Sequence, residues 1–316
     1  MRVLMTGASG FLGSHLLARM LCESQRPEVT ILKRSFSDTR RIAHLLSGIC
    51  IVDLDRQQME EAFQDKTYDI VLHCATNYGR GQVSRTQIIE PNLLLPLRLL
   101  DLSAKHGASV FINTDTMLDK NVSDYTLSKQ QFSEWLHRPN ANMTCINMLL
   151  EHFYGPGDDS TKFVSGLLGA LLKEQPEIAL TEGLQTRDFI FIDDVADAFL
   201  HVVRCAHLQS GYLEYEVGSG HPTRLRDFVE LARTLCGNTT TQLRFGALPY
   251  RPNEPMNVIV DTSRLQALGW TSRWTLQEGL KETIRADRAA AEAYGGPLPL
   301  APLGATPDRK GAVCGI

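Results

Sequence analysis

The chain opens with a short apolar run, Arg2-Val3-Leu4-Met5-Thr6, that breaks directly into Gly7-Ala8-Ser9-Gly10-Phe11-Leu12-Gly13. No other stretch restricts the fold as strongly. Three glycines at three-residue spacing end the run as a strand, and Leu12, Leu16, Leu17 and Met20 then recur with helical periodicity. In a strand–turn–helix unit of this kind the first glycine allows the tight turn. The second lets the backbone approach a pyrophosphate, and the third lets the helix pack close to the strand. The helix N-terminus then offers unpaired N–H groups and a positive dipole end to phosphate. The motif therefore predicts a dinucleotide site built from Gly7, Gly10, Phe11, Leu12 and Gly13.

The segments that follow agree with that start. Strands are expected at Val29–Leu32, Cys50–Asp53, Ile70–His73, Val110–Asn113 and Cys145–Leu150, with helices between them. Such alternation predicts an α/β fold, a doubly wound (Rossmann) parallel sheet. After Tyr154-Gly155-Pro156-Gly157 the elements shorten, which predicts a smaller mixed α/β substrate domain. The expected division is 1–153 plus about 188–216 for the dinucleotide domain, about 154–187 and 217–288 for the second, and a loose tail over 289–316.

With 316 residues, 43% of them hydrophobic, and a net charge of −4, the chain reads as globular, with no basic excess calling for nucleic acid. No apolar run reaches membrane-spanning length, and Met1 leads straight into a core strand, so neither a membrane segment nor a signal peptide is expected. The seven cysteines lack CxxC spacing and the nine histidines lack ligand spacing. They read as reduced, buried residues of a cytoplasmic protein with no metal site.

Tyr125-Thr126-Leu127-Ser128-Lys129 carries the chemistry. On a helix, Tyr125 and Lys129 stand one above the other, and an ammonium beside a phenol favours its ionised form. That makes the phenol a usable acid or base near neutrality, as hydride transfer to a carbonyl requires. A surface Tyr and Lys on an amphipathic helix is the plain alternative. Thr114, at the C-terminal end of a parallel strand, faces the crevice where such sheets bind ligands and could hydrogen-bond the reacting oxygen. After the second strand come Lys33-Arg34, with no carboxylate until Asp38. A basic pair there would attract a 2′-phosphate, which favours NADP(H) over NAD(H).

In the glycine turn, Asp53-Leu54, His73-Cys74-Ala75, Asn92, Thr114, Tyr125 and Lys129, the chain resembles the extended short-chain dehydrogenases/reductases that modify nucleotide sugars. Tyr154-Gly155-Pro156, Arg187-Asp188-Phe189, Asp193-Asp194 and Arg251 complete the likeness, which covers roughly residues 2–285. Among these enzymes it is most similar to reductases of nucleotide-linked 4-keto-6-deoxyhexoses. The resemblance implies Thr114, Tyr125 and Lys129 as catalytic. It implies Lys33, Arg34, Asp53, Leu54, Cys74, Ala75, Thr76 and Asn92, with the glycine turn, Tyr125 and Lys129, as cofactor-binding. Tyr78, Arg80, Asp115, His152, Arg187, Arg251 and Glu254 would meet the nucleotide sugar, the two arginines at its diphosphate. The apolar helix from Asn92 to Leu102 and the helix after Tyr125 would pair across a homodimer.

Three departures bear on the sugar pocket: a short Thr114–Tyr125 spacing, Leu149 in place of an arginine and His152 in place of an asparagine. Related 4,6-dehydratases carry Thr-Asp-Glu where this chain has Thr114-Asp115-Thr116, so the second carboxylate needed for elimination is missing. The expected activity is NADPH-dependent reduction of the C4 ketone of a CDP- or dTDP-linked sugar in deoxysugar biosynthesis. A 4-epimerase that recycles tightly held NAD uses the same Thr-Tyr-Lys set, and Lys33-Arg34 speaks against it. A non-catalytic dinucleotide sensor is the third reading; such relatives commonly lose the tyrosine or lysine, and this chain keeps both.

Overall fold

The computed structural model describes residues 1–138, 143–251 and 254–293. They form two compact units, 1–150 with 196–217 and 263–271, and 151–195 with 218–262 and the residues from 272 onward.

The first unit is built on β1 (Arg2–Thr6), β2 (Glu28–Lys33), β3 (Cys50–Asp53), β4 (Ile70–His73), β5 (Val110–Thr116) and β6 (Thr144–Leu150). A seventh strand, Tyr212–Val217, lies beside β6, giving the order Tyr212–Val217, β6, β5, β4, β1, β2, β3. Every pairing in this sheet is parallel. Central strands are covered on both faces, so they read as unbroken apolar runs; Val3, Leu4, Met5, Val71, Leu72, Phe111 and Ile112 are all buried. The seventh strand was not among the expected ones. Its Tyr212, Leu213 and Glu214 are only partly buried at the sheet edge, so no apolar run announces it.

On one face, Phe132 and Leu136 of the helix Asp124–Leu136 pack with Leu99, Leu100 and Leu102 of the helix Leu95–Lys105, over Phe111, Val71 and Leu4 of the sheet. Truncating a fully buried aromatic such as Phe132 to alanine costs about 3–5 kcal/mol. The segment expected as one helix from Asn92 is interrupted. A π-helical turn, Glu90–Leu94, with Pro91 in it, precedes Leu95–Lys105. Such turns re-aim side chains, and here Asn92 is fully buried.

In the second unit Phe189–Phe191 pairs with His152–Tyr154 in parallel, and Glu177–Ala179 pairs with Gln242–Arg244 in parallel. Thr186–Arg187 pairs with Thr223–Arg224 antiparallel. The helices Phe163–Leu172, Leu225–Cys236 and Leu276–Ala293 belong to this unit, and Phe228 stacks on Phe189 at 4.0 Å between ring centroids. Two buried carboxylates hold its loops. Asp188 accepts from the N–H groups of Ser219 and Gly220 (both 2.7 Å), and Asp194 accepts from Ser272 Oγ and the N–H groups of Arg273 and Trp274.

The boundaries differ from the expected ones for physical reasons. Residues 188–195 fall in the second unit because Phe189–Phe191 pairs with His152–Tyr154. Residues 263–271 fall in the first because the short helix Ser263–Ala267 packs on the strand Tyr212–Val217. The helix Leu276–Ala293 also takes in 289–293, expected as tail; the remainder of that tail and Cys314 lie outside the described residues. Cys145 and Cys236 are buried as expected, but Cys22, just past a helix end, and Cys50, on the edge strand, are exposed.

Candidate active site

The glycine turn is as tight as its sequence demands. Gly7 has φ +68°, and a Cβ there would lie 2.5 Å from the backbone of Cys74 and Ala75 at the end of β4. A Cβ on Gly13 would lie 2.0 Å from the Gly7 carbonyl oxygen, so the helix Phe11–Leu21 could not sit so close to the turn. Gly10 N–H donates to Gly7 O (3.0 Å). Gly10 caps the helix with no side-chain hydrogen bond, and no acidic residue stands in its first turn. A helix N-terminus capped by glycine, with its positive dipole end and no carboxylate, fits the pyrophosphate of a dinucleotide.

Behind the turn, Ala75 N–H donates to Thr6 Oγ1 (3.3 Å), which also bonds His73 Nδ1 (2.8 Å). Burial, with the nearby Lys129 charge, holds the His73 imidazole well below its usual range, so it is neutral. Asn92 organises the loop that follows. Its Oδ1 accepts from Thr76 Oγ1 and Asn77 N–H (both 2.9 Å), and its Nδ2 donates to Asn77 O (2.8 Å) and Ser128 Oγ (3.1 Å). Ser128 in turn donates to the Tyr125 carbonyl (2.7 Å). One buried amide thus joins the end of β4 to the helix that carries Tyr125.

That helix begins at Ser123, whose hydroxyl accepts from Thr126 N–H while Thr126 Oγ1 accepts from Ser123 N–H. Tyr125 and Lys129 are both buried. Lys129 Nζ donates to the Thr114 carbonyl on β5. Burial lowers the Lys129 pKa, and the Asp115 carboxylate and the Cys74 sulfur oppose that shift. Thr114 Oγ1 donates to Cys74 Sγ (3.3 Å), a weak acceptor that a substrate oxygen could replace. The Tyr78 ring lies 5.1 Å from that of Tyr125, and the Arg80 guanidinium sits 4.9 Å over Tyr78. The structure therefore brings together the turn, Cys74, Ala75, Thr76, Asn92, Thr114, Tyr125, Lys129, Tyr78 and Arg80 in one unit.

Four other expectations meet a different local geometry. Asp115 alternates with Thr114 along β5 and so faces the opposite side of the sheet, where its Oδ2 accepts from Asn147 Nδ2 (2.9 Å). Lys33 and Arg34 are paired: Lys33 Nζ lies 3.5 Å from Asp53 Oδ2, and Arg34 Nε donates to Asp55 Oδ1 (2.7 Å). Ser35 Oγ donates to both oxygens of Asp53. Desolvation acts to raise the Asp53 pKa, but the Ser35 and Asp55 N–H bonds and the Lys33 charge hold it below the usual carboxylate range. Leu54 packs against the apolar core, its N–H on the Lys33 carbonyl.

In the second unit, Arg187 is 1% exposed and already engaged. Its NH1 donates to the carbonyls of Thr186 and Pro255 (both 2.7 Å), and its NH2 pairs with Glu254. Burial lowers its pKa, opposed by Glu254 and Glu151. His152 Nδ1 donates to Glu151 Oε1 (2.7 Å), and Arg251 is partly buried. Absent from the expected set were Asn147, Asn113 and Ser133, a buried polar group under Asp115. The available signal was an asparagine inside each of two otherwise apolar strand runs.

Residues 3–218 match the NAD dependent epimerase/dehydratase family. The CDP-abequose synthase of Salmonella typhimurium is 33% identical over 295 residues, covering 90% of this chain and 97% of that one. The CDP-abequose synthase of Salmonella muenchen is 29% identical, with 90% and 97% covered. The crystal structure of a UDP-glucose-4-epimerase from Stenotrophomonas maltophila with bound NAD and formylated UDP-arabinopyranose shares the fold. Its TM-score is 0.80 at 19% identity, with 93% of this chain and 99% of that one covered. Among the described residues no helix is long and apolar enough to cross a membrane. The chain belongs to the NAD dependent epimerase/dehydratase family, and with it to the extended short-chain enzymes that carry out NAD(P)-dependent oxidoreduction on nucleotide sugars.

Proposed function

We propose that this enzyme reduces the C4 ketone of a CDP- or dTDP-linked 4-keto-6-deoxyhexose, with NADPH as the donor. The observation that carries the reading is the Thr114–Tyr125–Lys129 set, which suffices for reduction, beside a position 116 that is threonine. Asp115, the remaining carboxylate of that strand end, is turned to Asn147. The likeness to two CDP-abequose synthases supports the same class of sugar.

A nicotinamide dinucleotide, when bound, would supply the hydride. The turn of Gly7 and Gly10, with Gly13 holding the helix close, would admit its pyrophosphate, and Asn92 fixes the loop of Thr76. Tyr125 gives its phenolic proton to the oxygen of the former ketone as the hydride reaches C4. Lys129, anchored on the Thr114 carbonyl, would in its ammonium form stabilise the phenolate left behind. Thr114 exchanges its weak bond to Cys74 for one to the developing alkoxide. In this reading Tyr78 and Arg80 would meet the sugar, and His152 and Arg251 of the second unit would bind the nucleotide part. A cytoplasmic homodimer belongs to the same reading, and the exposed Leu94, Leu127 and Trp135 on residues 90–105 and 124–136 offer an apolar face to a second copy.

One observation favours a 4-epimerase instead. Asp53 and Asp55 neutralise Lys33 and Arg34, so the end of β2 is less basic than its sequence suggests and could receive an unphosphorylated ribose. Incubation with NADPH or NADH and a set of nucleotide-linked 4-keto-6-deoxyhexoses, with products assigned by NMR, separates the two. Stoichiometric NADPH consumption and a C4 alcohol support the reductase. Interconversion of C4 epimers with a retained cofactor and no net consumption overturns it.

A further inference from the structure

Asn147 stands at the centre of a polar group enclosed in an apolar part of the first unit. It lies on β6 between Ile146 and Met148, all three fully buried. Its Oδ1 accepts from Asn113 Nδ2 (2.7 Å), and its Nδ2 donates to Asp115 Oδ2 (2.9 Å) and Ser133 Oγ (3.1 Å). The other Asp115 oxygen accepts from the Thr116 N–H (2.8 Å). Ser133 follows Lys129 by one helical step of four and Tyr125 by two, so the three side chains form one stripe on the helix Asp124–Leu136. The helix is consequently tied to β5 at two levels. Lys129 bonds the Thr114 carbonyl directly, and one turn further on Ser133 reaches Asp115 through Asn147.

Other contacts of this helix with the sheet include the apolar packing of Phe132 on Phe111 and one long hydroxyl contact, Ser133 Oγ to Tyr212 OH (3.5 Å) on the edge strand. Apolar burial is non-directional and tolerates a small slide of the helix along the strand. Hydrogen bonds do not, because a slide that opens them leaves buried donors and acceptors unsatisfied. We propose that Asn147 and Asp115 are positioning residues, a bracket that sets the height of the helix against β5 and hence of Tyr125 and Lys129 against Thr114. What that height serves rests on the hydride-transfer reading above; the bracket itself does not.

The bonding pattern dictates its own test. Asp115→Asn leaves one amide oxygen for two donors, Asn147 Nδ2 and the Thr116 N–H, so its own NH2 must oppose one of them, and Asn147→Asp faces one carboxylate with another. Both exchanges together restore complementarity. The amide now on β5 donates to the carboxylate now on β6, which still accepts from Asn113 and, once the Ser133 hydroxyl rotates, accepts from Ser133 where residue 147 had donated to it.

Amide hydrogen exchange of residues 127–136 in the full chain without cofactor reads the bracket independently of any substrate. Each single exchange should weaken protection at least about tenfold, the order of one buried hydrogen bond, and the double exchange should recover to within about threefold of wild type. With the sugar substrate, each single exchange should lower kcat about 10- to 100-fold, as expected for a displacement near 1 Å, leaving KM and NADPH affinity within about twofold. The double exchange should recover most of that kcat. A merely structural role would not move kcat alone. Unchanged protection in the single exchanges, or a double exchange no better than the two losses combined, overturns the bracket. If a single exchange prevents folding, a folded and protected double exchange supports the proposal and an unfolded one ends it. Rescued protection in a chain that reduces no 4-keto sugar, wild type included, removes the functional reading and leaves the bracket standing.

Discussion

Each unit encloses a long cation, and the two are used differently. Lys129 of the first unit and Arg187 of the second are almost fully buried. Lys129 has one hydrogen bond to a backbone carbonyl, with the Asp115 carboxylate near enough to favour its charge but turned to another partner. Its field therefore remains available to a neighbour such as Tyr125. Arg187 is saturated by two carbonyls and by Glu254, and its fork is spent on holding residues 254–255 to Thr186-Arg187. A buried charge can act on a ligand only to the extent that the fold has left it unspent. Arg251, the other arginine proposed for the nucleotide, is less enclosed.

The contrast can be broken at its first term. Tyr125→Phe removes the proton donor and should lower turnover about 10²–10⁴-fold, with NADPH affinity nearly unchanged by fluorescence titration. Wild-type turnover would show that the Lys129 field serves something else. The second term is tested by Arg187→Ala, which strands Glu254 as a buried, unpaired carboxylate. Breaking such a pair costs about 3–5 kcal/mol, so loss of the second unit's cooperative melting is expected rather than a selective rise in KM. A stable variant with raised KM alone would return Arg187 to the diphosphate. Arg251→Ala should raise the KM for the nucleotide sugar about 10- to 150-fold, the loss of a charge-assisted contact of roughly 1.5–3 kcal/mol. An unmoved KM would leave the second unit without an assigned cation.

The smallest effect concerns a carboxylate in the second unit. Burial, with Asp158 nearby and against a hydrogen bond from Gly157 N–H, raises the Asp287 pKa to about 6. The folded chain then holds a proton that the unfolded chain releases near 3.8, so this group's stabilisation is lost as pH rises through that window. Asp287→Asn should therefore raise Tm relative to wild type more at pH about 7 than at about 4. An equal change at both pH values would remove Asp287 as the cause.

What was legible in the sequence is what local geometry enforces. Gly7 and Gly13 have no room for a side chain, so strand, turn and helix follow from them. Tyr125 and Lys129 share a helical face by spacing alone. The misses come from partners far along the chain. Lys33 and Arg34 look unopposed until β3 brings Asp53 and Asp55 beside them. Arg187 reads as a ligand clamp until Glu254 is found on it. Asp115 matches a substrate-binding position by motif, and the alternation of β5 sends it to the other face.

Thr114's present acceptor carries a consequence for chemical reactivity. Thiol reagents attack the thiolate, and burial, moderated by the Thr114 hydrogen bond and the Lys129 charge, pushes the Cys74 thiol up to about 11. At neutral pH only about one molecule in 10⁴ would carry the reactive form. Iodoacetamide should therefore label the exposed Cys22 and Cys50 and spare Cys74, although Cys74 adjoins the reacting centre. A sulfur held in this way can lend its lone pair to a hydroxyl without exposing the enzyme to alkylation or oxidation there.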